Sequence, residues 1–313
     1  MEIRTLGVFS PGSPPRPDRL ESGLRRLEQL DLRLRLGRTA RGGEGLHAAP
    51  PEVRAQDFHD LLRDPEVDAI LCARGGSGTM GILPHIDYAL AEAAGKAVLG
   101  LSDVTALHLA LFARCRLGGV AGPVLVQFGP EMPAYTVESW RRLLHGPHAR
   151  TPLALPPGAQ LAPLPGTPPR SVEGTLLPCN LSLLTSLLGT GYLPSLENAI
   201  VVLEEVHETP QSLDRMASAL RLSGVDRGWA GLVLGQFTEC RPHNPGVTEA
   251  EGVAVMHDWA RSLGIPVLTG FPFGHEADCC SLPFGTRARL ETAPPGLTLT
   301  EPPPTQRASA VLA

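Results

Sequence analysis

The chain has 313 residues, with 27 Lys and Arg against 32 Asp and Glu, for a formal net charge of −5. Hydrophobic residues make up 42% and charged residues 19%, which excludes wholesale disorder, and the acidic balance leaves no electrostatic footprint for nucleic acid. At about 150 residues per domain the length suggests two domains, long enough to bury cores without metal or disulfide staples.

Residues 3–9 form a short apolar run that ends in the turn Ser10-Pro11-Gly12. The start Met1-Glu2-Ile3-Arg4 leads into no apolar leader, and no run of 18 uncharged apolar residues follows anywhere. The expectation is a cytoplasmic protein with no secretory signal and no membrane span. Over 18–30, Leu20, Leu24, Leu27 and Leu30 recur at helical spacing. Leu32, Leu34 and Leu36 alternate with Arg33 and Arg35, a strand period. Residues 51–63 read as a helix opened by proline. Residues 68–73 read as a strand followed by the glycine-rich Arg74-Gly75-Gly76-Ser77-Gly78, residues 96–100 as another strand, and 103–117 as a helix. Strands separated by helices predict βαβ units: an α/β fold whose N-terminal domain is a Rossmann-like parallel sheet.

Prolines crowd residues 146–170, from Pro147 to Pro169. This stiff connection divides the chain into an N-terminal domain over 1–150, a linker over 151–170 and a C-terminal domain over 171–313. In the second half, strand signals lie at 199–203, 231–237, 265–268, 287–290 and 297–300, and helical signals at 181–188, 212–222 and 249–263. The tail from Pro302 reads as poorly structured. The six cysteines show no C-x-x-C spacing, and the only close pair is Cys279-Cys280. That pattern predicts reduced thiols and no structural zinc site.

Four segments could carry chemistry. In Gly100-Leu101-Ser102-Asp103-Val104, a serine sits between a buried strand and a helix, two residues after a glycine. Such an elbow pushes Oγ out at the carboxyl end of a sheet and turns the next amide toward a developing oxyanion. Val104 stands where a G-x-S-x-G motif has its last glycine, so Ser102 or Asp103 could equally be a helix N-cap. The Gly75-Gly76 loop could bring backbone amides to a ligand or be a tight turn, and Ser77 within it is a rival nucleophile. Glu204 and Glu205 end the apolar run 199–203, where two acids could enter a cleft or be merely solvated. His275, in Phe273-Gly274-His275-Glu276, is a loop histidine on a strand scaffold and a candidate base. His108 lies six residues past Ser102 on the same helix, so it points elsewhere and reads as a packing or surface residue.

Taken in order, the Gly-Gly loop, the G-x-S-D-x-T elbow, Leu203-Glu204-Glu205 and Phe273-Gly274-His275-Glu276 resemble the LD-carboxypeptidase family of serine peptidases, which includes the microcin C self-immunity peptidases. The resemblance extends over residues 3–290, with further matches at Ile86-Asp87-Tyr88, Asn180-Leu181, Glu197-Asn198 and Leu213-Asp214-Arg215-Met216. It implies Ser102 as nucleophile, His275 as general base, Glu204 as its orienting acid, and the amides of Asp103 and Gly76 as the oxyanion hole. A histidine that takes the serine proton, held by a carboxylate, is what makes serine nucleophilic. The resemblance also implies a smaller mixed α+β C-terminal domain, a homodimer, and no metal or cofactor. It departs from the family pattern at Ser77 (usually tyrosine), at Pro178-Cys179 (usually Gly-Gly), at Glu205 (usually aspartate), and at Gln211-Ser212, where an aromatic and a basic residue are common. The implied reaction is hydrolysis of the L,D-bond that releases terminal D-alanine from a cytoplasmic muropeptide tetrapeptide. The alternatives are a microcin-C-type hydrolase of peptidyl- or aminoacyl-nucleotide amides, and a non-catalytic protein that binds a peptide or nucleotide.

Overall fold

The computed structural model describes residues 3–43, 45–145, 152–242, 246 and 248–306. In chain order the strands are β1 (Thr5–Phe9), β2 (Arg33–Leu36), β3 (Ala69–Cys72), β4 (Val98–Gly100), β5 (Gly119–Ala121), β6 (Ala162–Pro163), β7 (Ser171–Asn180), β8 (Ala199–Val206), β9 (Gly231–Thr238), β10 (Val267–Thr269), β11 (Leu282–Phe284), β12 (Thr286–Thr292) and β13 (Pro295–Leu299). The α-helices are α1 (Pro17–Glu28), α2 (Pro51–Arg63), α3 (Tyr88–Ala94), α4 (Thr105–Cys115), α5 (Ala134–His145), α6 (Leu181–Ser186), α7 (Pro210–Ser223) and α8 (Glu249–Ser262).

Two sheets result. The first runs β11-β5-β4-β3-β1-β2, with β1 to β5 parallel and β11 antiparallel at its edge. The second runs β13-β12-β7-β8-β9-β10-β6; β7 to β10 are parallel, and β12, β13 and β6 antiparallel. The fold is therefore α/β with a parallel N-terminal sheet and a mixed second sheet. The run 199–203 is a strand buried on both faces, and such strands read as continuous apolar segments.

Several stretches differ from their sequence reading, among them α3, β5, α5 and β11, which have no counterpart in it. The proline-rich segment is more than a connection: Ala162–Pro163 pairs with β10, and Pro152 bridges Thr298. Its first residues, up to 151, lie outside the described chain. The tail holds a 3₁₀ turn at Pro304–Gln306, where the buried Thr305 hydroxyl donates to the Leu143 carbonyl; residues 307–313 lie outside the described chain. The strand β7 has no counterpart in the sequence reading, because Gly174 and Pro178 weaken its pattern. Proline is tolerated there because β12 pairs with β7 only as far as Leu176, which leaves the end of β7 bonded to β8 alone.

The helix α4 lies inside this frame. Thr105 through Phe112 and Cys115 are all buried, as expected of a helix covered on every side. Its Ala106 and Leu109 belong to one apolar cluster with Leu181 and Leu184 of α6 and Leu203 of β8. His108 is part of this core, its ring tilted against Phe284 and its ring nitrogen 3.0 Å from the Val98 carbonyl, and burial pulls its pKa down to about 4.

Candidate active site

Ser102 follows β4 directly and opens a 3₁₀ turn, Ser102–Val104, that leads into α4. Its φ is +67°, a left-handed conformation that costs a non-glycine residue about 1–3 kcal/mol. The N-cap reading does not hold for either candidate: the turn has Leu101 as its N-cap and no side-chain cap bond. The Asp103 carboxylate is buried and accepts instead from the Thr79 amide at 2.9 Å and its hydroxyl at 2.6 Å. It thereby ties the elbow to the end of the glycine-rich loop.

That loop must approach closely. A Cβ on Gly75 would stand 3.0 Å from Ser102 Cβ and 3.3 Å from Oγ. Gly76 has φ +101° and is exposed. Ser77 donates its amide to Ser13 Oγ and is otherwise a loop residue. The buried Arg54 donates to the carbonyls of Ala49, Pro11 and Gly78, clamping the loop to the Ser10-Pro11-Gly12 turn.

Glu204 is completely buried at the end of β8, and its Oε2 accepts from His275 Nδ1 at 2.7 Å. Glu205 turns the other way and accepts from the amides of Ser182 and Val206. Burial pushes the Glu205 carboxyl above its ordinary value against these hydrogen bonds. Asn180, at the end of β7, donates from Nδ2 to Glu204 at 3.1 Å and to Glu205 at 2.9 Å. Its backbone amide donates to Thr105 Oγ1, and its side-chain Oδ1 caps α6 by accepting from the Leu183 amide. Asn180 thus links the helix after Ser102 to the acid that holds His275.

For His275, burial lowers the pKa, but the hydrogen bond and charge of Glu204, with the charge of Glu205, outweigh it and leave the imidazole above its ordinary value. The loop that carries it hangs on Gln236, whose Oε1 accepts from the Glu276 amide and whose Nε2 donates to Asp278 O. The β8–β9 register shifts between Leu203 and Glu205, a bulge that sets Gln236 opposite the loop. From α5, Thr136 donates to Ala277 O and accepts from the Cys279 amide. Asn180 lies in one of the matching segments, but its link to Glu204 cannot be read from the sequence, and Gln236, Thr136 and Arg54 serve the site without any recognisable motif of their own.

His275 lines a cleft of about 600 Å³ together with Glu276, Thr136, Gln127, Arg16 and Arg74. Ser102 is not in that lining; its link to the cleft is Gly75, which follows Arg74 and stands over it. Ser102 and His275 share no hydrogen bond among the described residues. Nor do three His, Cys, Asp or Glu side chains gather there as a metal site. No described helix is long and apolar enough to cross a membrane.

Residues 6–122 match the model of the LD-carboxypeptidase N-terminal domain and residues 173–290 that of its C-terminal domain, together well over half of the chain. The chain belongs to the LD-carboxypeptidase family. It is 34% identical over 294 residues to the probable murein peptide carboxypeptidase of Bacillus subtilis, covering 92% of this chain and 89% of the relative. The solved muramoyltetrapeptide carboxypeptidase of Oxalobacter formigenes superposes with a TM-score of 0.79 at 27% identity, over 96% of this chain and 99% of the other. The fold of the microcin C7 self-immunity protein MccF in its wild-type apo state superposes at 0.87 with 24% identity, over 96% and 97%; in sequence, MccF of Escherichia coli is 24% identical over 95% of this chain and 93% of its own.

Proposed function

We propose that this LD-carboxypeptidase family member is a serine carboxypeptidase that cleaves the L,D-bond of a muropeptide tetrapeptide and releases the terminal D-alanine. The observation that carries the reading is the 2.7 Å bond from His275 Nδ1 to the buried Glu204. It leaves Nε2 to take the Ser102 proton, and a buried carboxylate favours the imidazolium that forms. Ser102 Oγ attacks the carbonyl of the L-residue as His275 accepts its proton, and the amides of Gly76 and Asp103 face the resulting oxyanion. As the second residue of its turn, Asp103 has no intrahelical acceptor for its amide. Collapse breaks the amide bond, His275 returns the proton to the departing amine, and water then hydrolyses the ester. The Ser102–His275 hydrogen bond is expected to form with substrate, since such bonds are often long in a free enzyme and tighten in the complex.

The murein names of the relatives support the substrate over a nucleotide amide. Six unpaired, buried cysteines support a reducing compartment, the cytoplasm; the homodimer rests on family resemblance alone. Mass spectrometry of products from a tetrapeptide and a peptidyl-nucleotide amide, offered side by side, tests the reading. Free D-alanine is expected from the first. Ser102→Ala is expected to lose roughly 10⁴–10⁶ in kcat; retention of a tenth of the activity would move the nucleophile to Ser77.

A further inference from the structure

We propose that Arg74 anchors the free carboxylate at the end of the peptide substrate and thereby confines cleavage to the last residue. The inference deepens the carboxypeptidase reading and rests on it. A carboxypeptidase must recognise one anion at a set distance from the bond it breaks. In a terminal residue the carboxylate carbon is three bonds from the scissile carbonyl carbon, a reach of about 4 Å. The anchoring cation therefore belongs beside the oxyanion site.

Three arginines line the cleft: Arg16, Arg19 and Arg74. Two of them already face carboxylates. Arg16 grips Asp18 through Nε at 3.2 Å and Nη2 at 3.1 Å, and Arg19 faces Glu131 at 4.0 Å. Arg74 instead gives Nη1 to the carbonyl of Pro14 at 2.9 Å. A carbonyl fixes the direction of the guanidinium without cancelling its charge, and a guanidinium has five N–H donors to share. Arg74 is also the half-buried one of the three, where Arg16 and Arg19 are exposed.

Its position fits the chemistry. Arg74 immediately precedes Gly75, the residue that stands over Ser102, and its Nε lies 3.6 Å from the Cβ site of Gly76. The guanidinium thus folds back over the residue proposed to hold the oxyanion. The cleft's own carboxylates are Glu131, engaged by Arg19, and Glu276, beside His275. Glu276 repels a second carboxylate from its end of the cleft, and a planar fork is suited to hold one in two hydrogen bonds.

The test uses the full-length enzyme and two tetrapeptides that end in the same L,D-bond, one a free acid and one its carboxamide. Wild type is expected to prefer the acid by about 100-fold or more in kcat/KM. Arg74→Gln should raise KM for the acid by about 10- to 100-fold and erase most of that preference, while Ser102 still reacts with a neutral fluorophosphonate. Arg74→Lys, a point charge without the fork, should fall between. Equal cleavage of acid and carboxamide by wild type, or an undiminished acid preference in Arg74→Gln, overturns the anchor. If Arg74→Gln loses fluorophosphonate labelling, the wild-type ratio and Arg74→Lys decide instead. Wild type that cleaves neither peptide overturns the carboxypeptidase reading itself; cleavage of the acid with its preference intact in both variants overturns only Arg74.

Discussion

At the scale of single residues, the site is governed by which carboxylate touches the imidazole. In the proposed mechanism the base must be neutral to accept a proton, so the acid limb of the rate profile should follow His275. Burial lowers that pKa and Glu204 raises it more, so the limb should lie above the ordinary value of 6.5, with activity lost as pH falls through it. Glu204→Gln should move the limb to lower pH and cut kcat by roughly 10²–10⁴, because an amide can hold the wrong tautomer. Glu205→Gln should do much less to the rate, since Glu205 holds the amides of Ser182 and Val206 and not the ring. pH–rate series on both variants check this, and a mild Glu204→Gln beside a damaged Glu205→Gln would reverse the assignment. Ser102 carries a second prediction. Its φ of +67° strains any side chain, so Ser102→Gly should be more stable than Ser102→Ala by about 1 kcal/mol. Urea denaturation measures the difference, and a less stable glycine variant would contradict the strain.

At the scale of elements, the loop that carries His275 is held by two neighbours, the β8–β9 bulge with Gln236 and α5. The helix reaches the loop through Thr136, which both donates and accepts, and through Ser139, whose oxygen accepts from the Ser281 amide. Thr136→Val keeps the shape and removes both Thr136 bonds. It should lower kcat by about tenfold, through a looser loop, and cost about 1–2 kcal/mol of stability from the unpaired amide. Steady-state kinetics and thermal unfolding separate the two effects, and unchanged kcat would mean that α5 does not position the histidine. The helix was legible in principle: Pro133 precedes it, and Val137, Trp140 and Leu144 follow at helical spacing.

At the scale of the whole molecule, the two halves are joined by more than the chain between them. The strand β11 comes from after His275 yet closes the first sheet on β5, and Thr305 bonds back to Leu143. One apolar cluster also runs from Phe9 through α4 to Trp259. A chain cut at a protease site engineered into 146–151 should therefore remain a single particle on gel filtration, retain activity, and separate only in denaturant. Fragments that part in buffer would show that the halves cohere through the linker alone.

The amino-acid sequence by itself determined the strand and helix rhythm of the first half, since buried runs such as 69–72 and 98–100 and the leucines of α1 follow from local period. It also carried the family resemblance, through short motifs that keep their order along the chain. It could not show that Asn180 bridges Glu204 and Glu205, that Gln236 supports the His275 loop, or that residues 282–284 leave their own half for the other sheet. Those are decided by contacts between residues far apart in the chain, 24 positions for Asn180 and Glu204 and 71 for Glu204 and His275. Periodicity reports only which way a side chain faces along its own element, and pairing across elements exists only once the two sheets have packed.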